Sequence, residues 1–497
     1  MHADLTWESP GPGWWFLARE HLPTPVPRLY SALLPHATRG WTTSSRRYGQ
    51  TRGNAQWAAV NGWMYYGPRA ADPSTFDALE IAAEETLRTF RWRDDVRRWH
   101  DVDRPAFVTA NLALQDEDPE SPGHVRRLLD HYRAIAPRHF ELHTAFSIGG
   151  GWATEQLQEC GLSLADVLPL LAGSSPASAR ARGHVDAIVA EVGDRAVSSL
   201  DDVRGPALAA YLREYGWRCL DQHELGEALI ERPDVIVASV RARQSGHGGA
   251  VPAPDVEAVR SRASDGERFD VALADLRDTY GLNDDNVGIT FGWPLGLMRR
   301  AVLDLGRRRG WPAGLGFHAD PDELVALAEG DGPAVEELQA RAAAVEAAGT
   351  AEPPEFFAGE AEPEHAVSIP EAVQRVDRLA TLLWATGATT SEPLTGVGIG
   401  DTAYRGRACR VDDDTGTPAI EPGDVLIARV THAGHNSVFP IAGAVATELG
   451  GPLSHPAVLA RELGLPAVVG VRELLAHVRT GDVVEVDPVA GVIRVVG

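Results

Sequence analysis

From Pro73 to about Ala348 apolar residues recur three and four apart, as in Phe76 to Leu87, His124 to Ile135 and Ala207 to Tyr215. That period gives each helix one apolar stripe, and Gly/Pro/Ser-rich breaks such as Ser174-Ser175-Pro176 and Ser245-Gly246-His247-Gly248-Gly249 divide the runs. A large helical domain is predicted. Residues 349–366, from Gly349-Thr350-Ala351-Glu352-Pro353-Pro354 to Glu362-Pro363-Glu364-His365, are rich in Pro, Glu and Ala and read as a linker. One more helix over Ile369 to Thr386 and a second break from Gly387 to Pro393 follow. From about Leu394 the pattern changes to short β-branched strands with one or two helices. Gly423-Asp424 opens the strand Val425 to Val430, Ala444-Val445-Ala446 leads to a glycine pair, and Gly481 to Val486 with Gly491 to Val495 makes a terminal hairpin.

The first 70 residues fit neither pattern. They hold Trp7, Trp14, Trp15, Trp41, Trp57, Trp63, Tyr65 and Tyr66, with Pro23, Pro25 and Pro27 among them, and proline at this density argues against one long helix. The aromatics suit either a core or an apolar pocket with polar rims for an aromatic or polyketide-like ligand.

One stretch, residues 449–471, carries an unusual histidine. Gly450 and Gly451 let the backbone come close to a neighbour or a ligand. Pro456 is a good first helical residue, which makes His455 the cap of a short helix from Ala457 to Leu463. Gly464 is the expected left-handed stop, Pro466 prevents continuation, and Ala467-Val468-Val469 reads as a buried strand. A helix start has unpaired N–H groups and partial positive charge, which would stabilise a phosphoryl group on the ring and disfavour the imidazolium against its ordinary pKa of about 6.5. Ser454 is placed to donate to the ring or to a phosphate oxygen. A histidine that merely caps a helix is the competing reading of an isolated Ser-His.

Composition narrows the choices. A length of 497 residues suggests two to four domains at roughly 150 residues each, and 44% hydrophobic content supports sizeable cores. The net charge of −24, without a basic block, excludes nucleic acid and anionic membrane as partners. No apolar run of about 18 residues occurs, and the first residues lack a basic and apolar leader, so a cytoplasmic location is expected. Cys160, Cys219 and Cys409 are distant and odd in number, which suggests neither a disulfide framework nor a metal site. The chain has no lysine, so all 46 basic residues are arginine. A Walker loop and a lysine Schiff base are therefore excluded.

The run Gly-Gly-x-x-Ser-His-x-Ala-x-x-Ala-Arg-Glu-Leu-Gly-x-Pro-Ala-Val at 450–468 resembles the phosphohistidine swivelling domain of the PEP-utilising enzymes, which include PEP synthase, rifampicin phosphotransferase and phenylphosphate synthase. Gly423-Asp424-Val425-Leu426 and Gly481 to Asp487 match the same domain. The resemblance implies that His455 is transiently phosphorylated, with Ser454 beside it and Gly450 and Gly451 on the phosphate-binding side. Trp7 to Pro25 resembles the opening of the family's central domain. Tyr215-Gly216-Trp217-Arg218, then His223-Glu224 and Glu231-Arg232-Pro233, resembles that domain's acceptor-handling signature, with Trp217 in place of the family's histidine. Arg218 is assigned to a phosphate, because its guanidinium offers a planar fork; an ion pair with a helix carboxylate is its alternative. His223 and Glu224 are the nearest substitutes for the missing histidine. Leu297 to Gly306 and Gly316 to Leu324 match the last helices of the same domain.

Several weaker features remain. His318 and Asp320 invite a metal, but Asp320-Pro321-Asp322-Glu323 is more simply an acidic helix start. His139 and His143 flank Glu141 without a third ligand and read as packing. Gly149-Gly150-Gly151 reads as a turn. His432 and His435 are rival phosphate carriers with no helix start around them. Arg461 lies roughly 240° around and about 9 Å along the helix from His455, so it docks the domain or forms an ion pair.

The expected architecture is multidomain α and α/β: an aromatic opening segment at 1–70, a helical acceptor-binding domain at 71–348, a linker with one helix at 349–393 and the swivelling domain at 394–497. The family's ATP-grasp domain normally holds nucleotide with lysine, and its PEP-binding barrel needs about 200 residues, so neither is expected within this chain. The resemblance then implies a phosphotransferase component in which ATP and Mg2+ sit on a separate ATP-grasp subunit. The β-phosphoryl passes to His455 and on to a hydroxyl of a small organic acceptor, an aromatic one among the options. A PEP-charged carrier and a non-catalytic regulatory protein are the alternatives.

Overall fold

The computed structural model describes all residues except 1–4, 20–21, 52, 54, 70, 221–224, 247–252, 360–367, 386–393, 412–419, 432–434, 436–437 and 497. The chain is mostly helical, with a C-terminal β-rich part, and its contacts divide it into two units. One comprises 1–145, 222–226 and 289–377; the other comprises 146–221, 227–288 and 378–497. Its strands are β1 (Trp15–Leu17), β2 (Ala55–Val60), β3 (Trp63–Pro68), β4 (Phe356–Phe357), β5 (Val397–Ile399), β6 (Tyr404–Val411), β7 (Val425–Ala428), β8 (Ala444–Thr447), β9 (Ala467–Val469), β10 (Val483–Asp487) and β11 (Val492–Val495). Among its helices are α1 (Arg28–Tyr48), α2 (Phe76–Thr89), α3 (His124–Ile135), α4 (Pro137–Glu159), α5 (Pro176–Val192), α6 (Pro206–Tyr215), α7 (Pro233–Gln244), α8 (Gly266–Tyr280), α9 (Pro321–Glu329), α10 (Glu371–Ala385) and α11 (His455–Leu463).

In the first unit the aromatic opening forms β1, β2 and β3, three strands of an antiparallel sheet ordered β2-β3-β1-β4. The register places Trp57 opposite Tyr66, Tyr66 opposite Phe16 and Phe16 opposite Phe356, so one aromatic row crosses all four strands. Neighbouring rings lie 5.8 Å apart at Trp57–Tyr66 and 5.7 Å apart at Phe16–Tyr66, the range in which aromatic pairs attract. The other face buries Trp15, Leu17, Trp63 and Tyr65 against Ala348. Phe356 and Phe357 fall within the expected linker, and their pairing with β1 corrects that reading over those two residues.

A second correction concerns α1, a 21-residue helix in the segment whose prolines argued against one. Pro23, Pro25 and Pro27 all precede it, and Pro27 is its N-cap. Pro35 lies inside and removes one N–H, yet Leu29, Tyr30, Leu33, Leu34 and Ala37 form a buried face whose packing outweighs that loss. The helical runs read from periodicity appear as α2, α3 and α6.

The second unit is built on a seven-stranded sheet ordered β11-β10-β6-β7-β8-β9-β5. Strands β6 to β9 run parallel, and β10, β11 and β5 are antiparallel additions. Both faces are covered, so β7 and β8 are buried at every position. Leu426, Ala428, Val445 and Val469 face a core shared with Leu459 and Leu463 of α11, Val185 and Ile188 of α5, and Val235 and Val240 of α7. Val425, Ile427, Ala444 and Ala446 face a second core with Val468, Val484, Val486 and Ile493. The C-terminal sheet therefore shares one apolar core with helices from the middle of the chain.

Gly149-Gly150-Gly151, read as a turn, lies inside the continuous helix α4. The reason is close packing rather than chain reversal. A Cβ at Gly151 would stand 1.9 Å from the carbonyl oxygen of Leu379 on α10, so only glycine lets the two backbones meet. Gly151→Ala should lower unfolding stability by about 1–3 kcal/mol, measured by denaturant titration, whereas an alanine as stable as the parent would show that α10 does not pack there.

Candidate active site around His455

Two adjacent parallel strands bring the site together. β7 ends at Ala428, and the chain continues through Arg429 to Thr431; β8 ends at Thr447, and the chain continues to the glycine pair. Backbone bonds from Glu448 N to Ala428 O and from Leu449 N to Arg429 O, at 3.0 and 2.7 Å, keep the two exits side by side. Gly450 then adopts a φ of +124°, open to glycine and costly for other residues. Ser454 folds back on this turn, its N–H and Oγ–H both donating to Gly451 O at 3.0 and 2.8 Å.

The helix α11 begins here. Its N-cap is Ser454 and its first residue is His455, one position earlier than the sequence suggested, with Pro456 next. Because the Ser454 hydroxyl is turned to Gly451, its side chain makes no cap hydrogen bond to the helix. The Ser454 hydroxyl is thus turned to Gly451 rather than to the ring, one of the two partners, ring or phosphate oxygen, expected for it. The first-turn N–H groups are left beside His455, where an anion would find them. Gly464 ends the helix with a φ of +65°, and β9 follows, as read from the sequence.

His455 is half-buried. Its Nδ1 lies 2.9 Å from Thr431 Oγ1, and Phe439 meets its ring edge-on at 5.7 Å between centroids. Burial first, and His435 second, push its pKa down to about 3. The ring is therefore neutral at pH 7, for a reason other than the helix dipole expected from the sequence. In the tautomer with Nδ1–H donating to Thr431 Oγ1, the lone pair of the neutral ring stands at Nε2. Thr431 was missed as a functional residue, since nothing local marks a threonine 24 positions upstream as the partner of this histidine. His435, read as a rival carrier, is instead a neighbour that helps keep His455 neutral. Its companion His432 lies outside the described residues.

The other candidates are more dispersed. Gly450 and Gly451 shape the turn before the helix. Arg218 stacks over Tyr215 at 4.1 Å and bonds the Glu214 backbone and carboxylate at 3.0 and 3.3 Å, the ion-pair alternative. His223 and Glu224 lie outside the described residues. Close to Arg218, His184 from α5 comes within 3.4 Å of Glu214 and packs on Tyr211 and Tyr215, an imidazole that sequence spacing did not point to. Arg461 is buried and donates to Ala457 O at 3.2 Å. Asp320 caps α9 in a reciprocal arrangement with Glu323, the helix start expected. His139 and His143 pack against each other and against Phe140 and Phe291. Among the described residues no group of three or more His, Cys, Asp or Glu side chains is arranged to hold a metal ion.

Comparison with known proteins places this geometry. Residues 420–491 match the family described as PEP-utilising enzyme, mobile domain. An uncharacterized phosphotransferase of Bacillus subtilis is 47% identical over 75 residues, 15% of this chain and 9% of that protein. A probable phosphoenolpyruvate synthase of Pyrococcus abyssi is 34% identical over 123 residues, 25% and 14% of the two chains. A rifampicin phosphotransferase of Streptomyces sviceus is 36% identical over 102 residues, 20% and 12%. The aligned segments are thus a small part of each relative. The helix that begins with His455, the strands that deliver it and the glycine turn before it all lie within the matched segment, so the site stands in the part of the chain that is similar to the PEP-utilising enzyme mobile domain.

Proposed function

We propose that this chain is the phosphohistidine-carrying component of a dikinase-type phosphotransferase. His455 Nε2 attacks the β-phosphorus of ATP held with Mg2+ by a separate ATP-grasp subunit; the N–P bond forms as the bond from that phosphorus to the AMP oxygen breaks and AMP leaves. Water then attacks the γ-phosphorus to release inorganic phosphate and leave the β-phosphoryl on Nε2. A hydroxyl of a small organic acceptor then attacks the phosphorus, and the N–P electron pair returns to Nε2. The observation that carries this reading is a neutral imidazole whose Nδ1 is held by Thr431 at the uncapped start of α11. Such phosphoryl transfer needs alignment and charge neutralisation more than covalent help, and helix N–H groups can supply part of both. The absence of lysine favours a partner as the nucleotide-binding subunit. An aromatic acceptor is favoured by the row formed by Trp57, Tyr66, Phe16 and Phe356, of which Phe356 is 52% exposed.

Incubation with β-labelled ATP and the ATP-grasp partner should place acid-labile label on the wild-type chain and none on His455→Ala; label that persists in the variant excludes His455 as the carrier. Running labelled PEP in parallel separates the two donors. Because the ring is already neutral, the loading rate should stay flat from pH 5.5 to 8 on the His455 side, and an inflection near 6.5 that disappears with His455 would contradict this. Thr431→Val should slow loading roughly five- to tenfold, the kinetic equivalent of about 1–1.4 kcal/mol for one hydrogen bond. Thr431→Ser should retain the parent rate in the same assay.

A further inference from the structure

Seven residues beyond His455 on the same helix, Glu462 occupies a site unlike that of any surface carboxylate. It is 0% exposed. Its Oε1 accepts the backbone N–H groups of Ser174 and Ser175, each at 3.1 Å, where the chain enters α5. Its Oε2 is equally buried and has no hydrogen-bond partner among the described residues. Arg182 of α5 directs its Nη1 to the backbone carbonyl of Glu462 at 2.9 Å. The rest of α11 is held by the same helices: Tyr280 OH of α8 donates to Val458 O at 3.2 Å, and Leu453 and Val458 pack among Phe146, Leu157, Phe269 and Leu273.

An ionised carboxylate in such a place keeps half its lone pairs unmet while cut off from water, and this is far costlier than burying the neutral acid. The neutral acid keeps both Ser N–H bonds and leaves one hydroxyl unpaired. Resting on the carrier role proposed for His455, we infer that Glu462 is the positioning residue of the carrier helix: it docks α11 on the entry to α5 as the neutral acid, and undocking returns its proton to solvent.

The electrostatics agree in direction. Burial raises the Glu462 pKa to about 7 against the N–H groups of Ser175, Ser174 and Gly173 and the charge of Arg182. Of the charged and titratable groups nearby, Arg461 on α11 donates to Ala457 O and Tyr280 on α8 donates to Val458 O. Since the docked pKa lies above the ordinary value of 4.5, the docked state holds the extra proton. Docking is therefore tightest below pH 4.5, weakens about tenfold per pH unit up to about 7, and is flat above that.

The amide of Ser175 is a built-in reporter, because its N–H is bonded to Glu462. Residue-resolved hydrogen exchange on the full chain, corrected for intrinsic rates, should show its protection falling about tenfold per pH unit between pH 5 and 7. Glu462→Gln retains an amide oxygen for both N–H groups and cannot ionise, so its Ser175 protection should be independent of pH. A flat wild-type profile, or a slope that survives in Glu462→Gln, would overturn the inference. Acid-labile phosphate on His455 is measured separately, so loss of the pH slope with normal loading refutes the docking role alone, and loss of loading with the slope intact refutes the carrier role alone.

Discussion

The hydrogen bond between Thr431 Oγ1 and His455 Nδ1, 2.9 Å long, ties the end of one parallel strand to the first residue of the helix that follows the next. It engages one of the two ring nitrogens. Once Nδ1 is engaged as a donor, the reactive lone pair is at Nε2, and burial keeps that lone pair unprotonated at neutral pH. The sheet supplies this geometry cheaply, because adjacent parallel strands end together and their following loops must lie side by side. The glycine turn and the Ser454 hydroxyl then set where α11 begins.

A carrier faces a second, opposing demand. Residues 456–463 are buried all round, some by the sheet and some by helices from the middle of the chain. A helix apolar on every side belongs in a core, yet a carrier helix has to present its histidine at more than one place. A buried acid is one way to reconcile these demands, since a docked state that holds the extra proton loses stability as pH rises towards neutral, which full apolar packing would not do.

Much of the second unit was legible from residue patterns because its signals are local. Gly464, Pro466 and the β-branched run after them mark the end of α11 and the start of β9, and the terminal hairpin alternates cleanly. What escaped depended on partners remote in sequence. The interior proline of α1 is tolerated because a tertiary face holds the helix. Gly151 looks like a turn residue until Leu379 is known to lie against it. Phe356 and Phe357 read as linker because their strand exists only by pairing with Trp15 and Phe16. The site divides in the same way: His455 stands within a run with clear helix signals, whereas Thr431 and Glu462 acquire their roles from contacts across the fold.

The account is tested most directly by the position of the phosphoryl group on the ring. Phosphorus and nitrogen NMR of the loaded chain distinguishes the Nε2 isomer of phosphohistidine from the Nδ1 isomer. The Thr431 contact predicts the Nε2 isomer at His455. Phosphate on Nδ1, or on a residue other than His455, would contradict it.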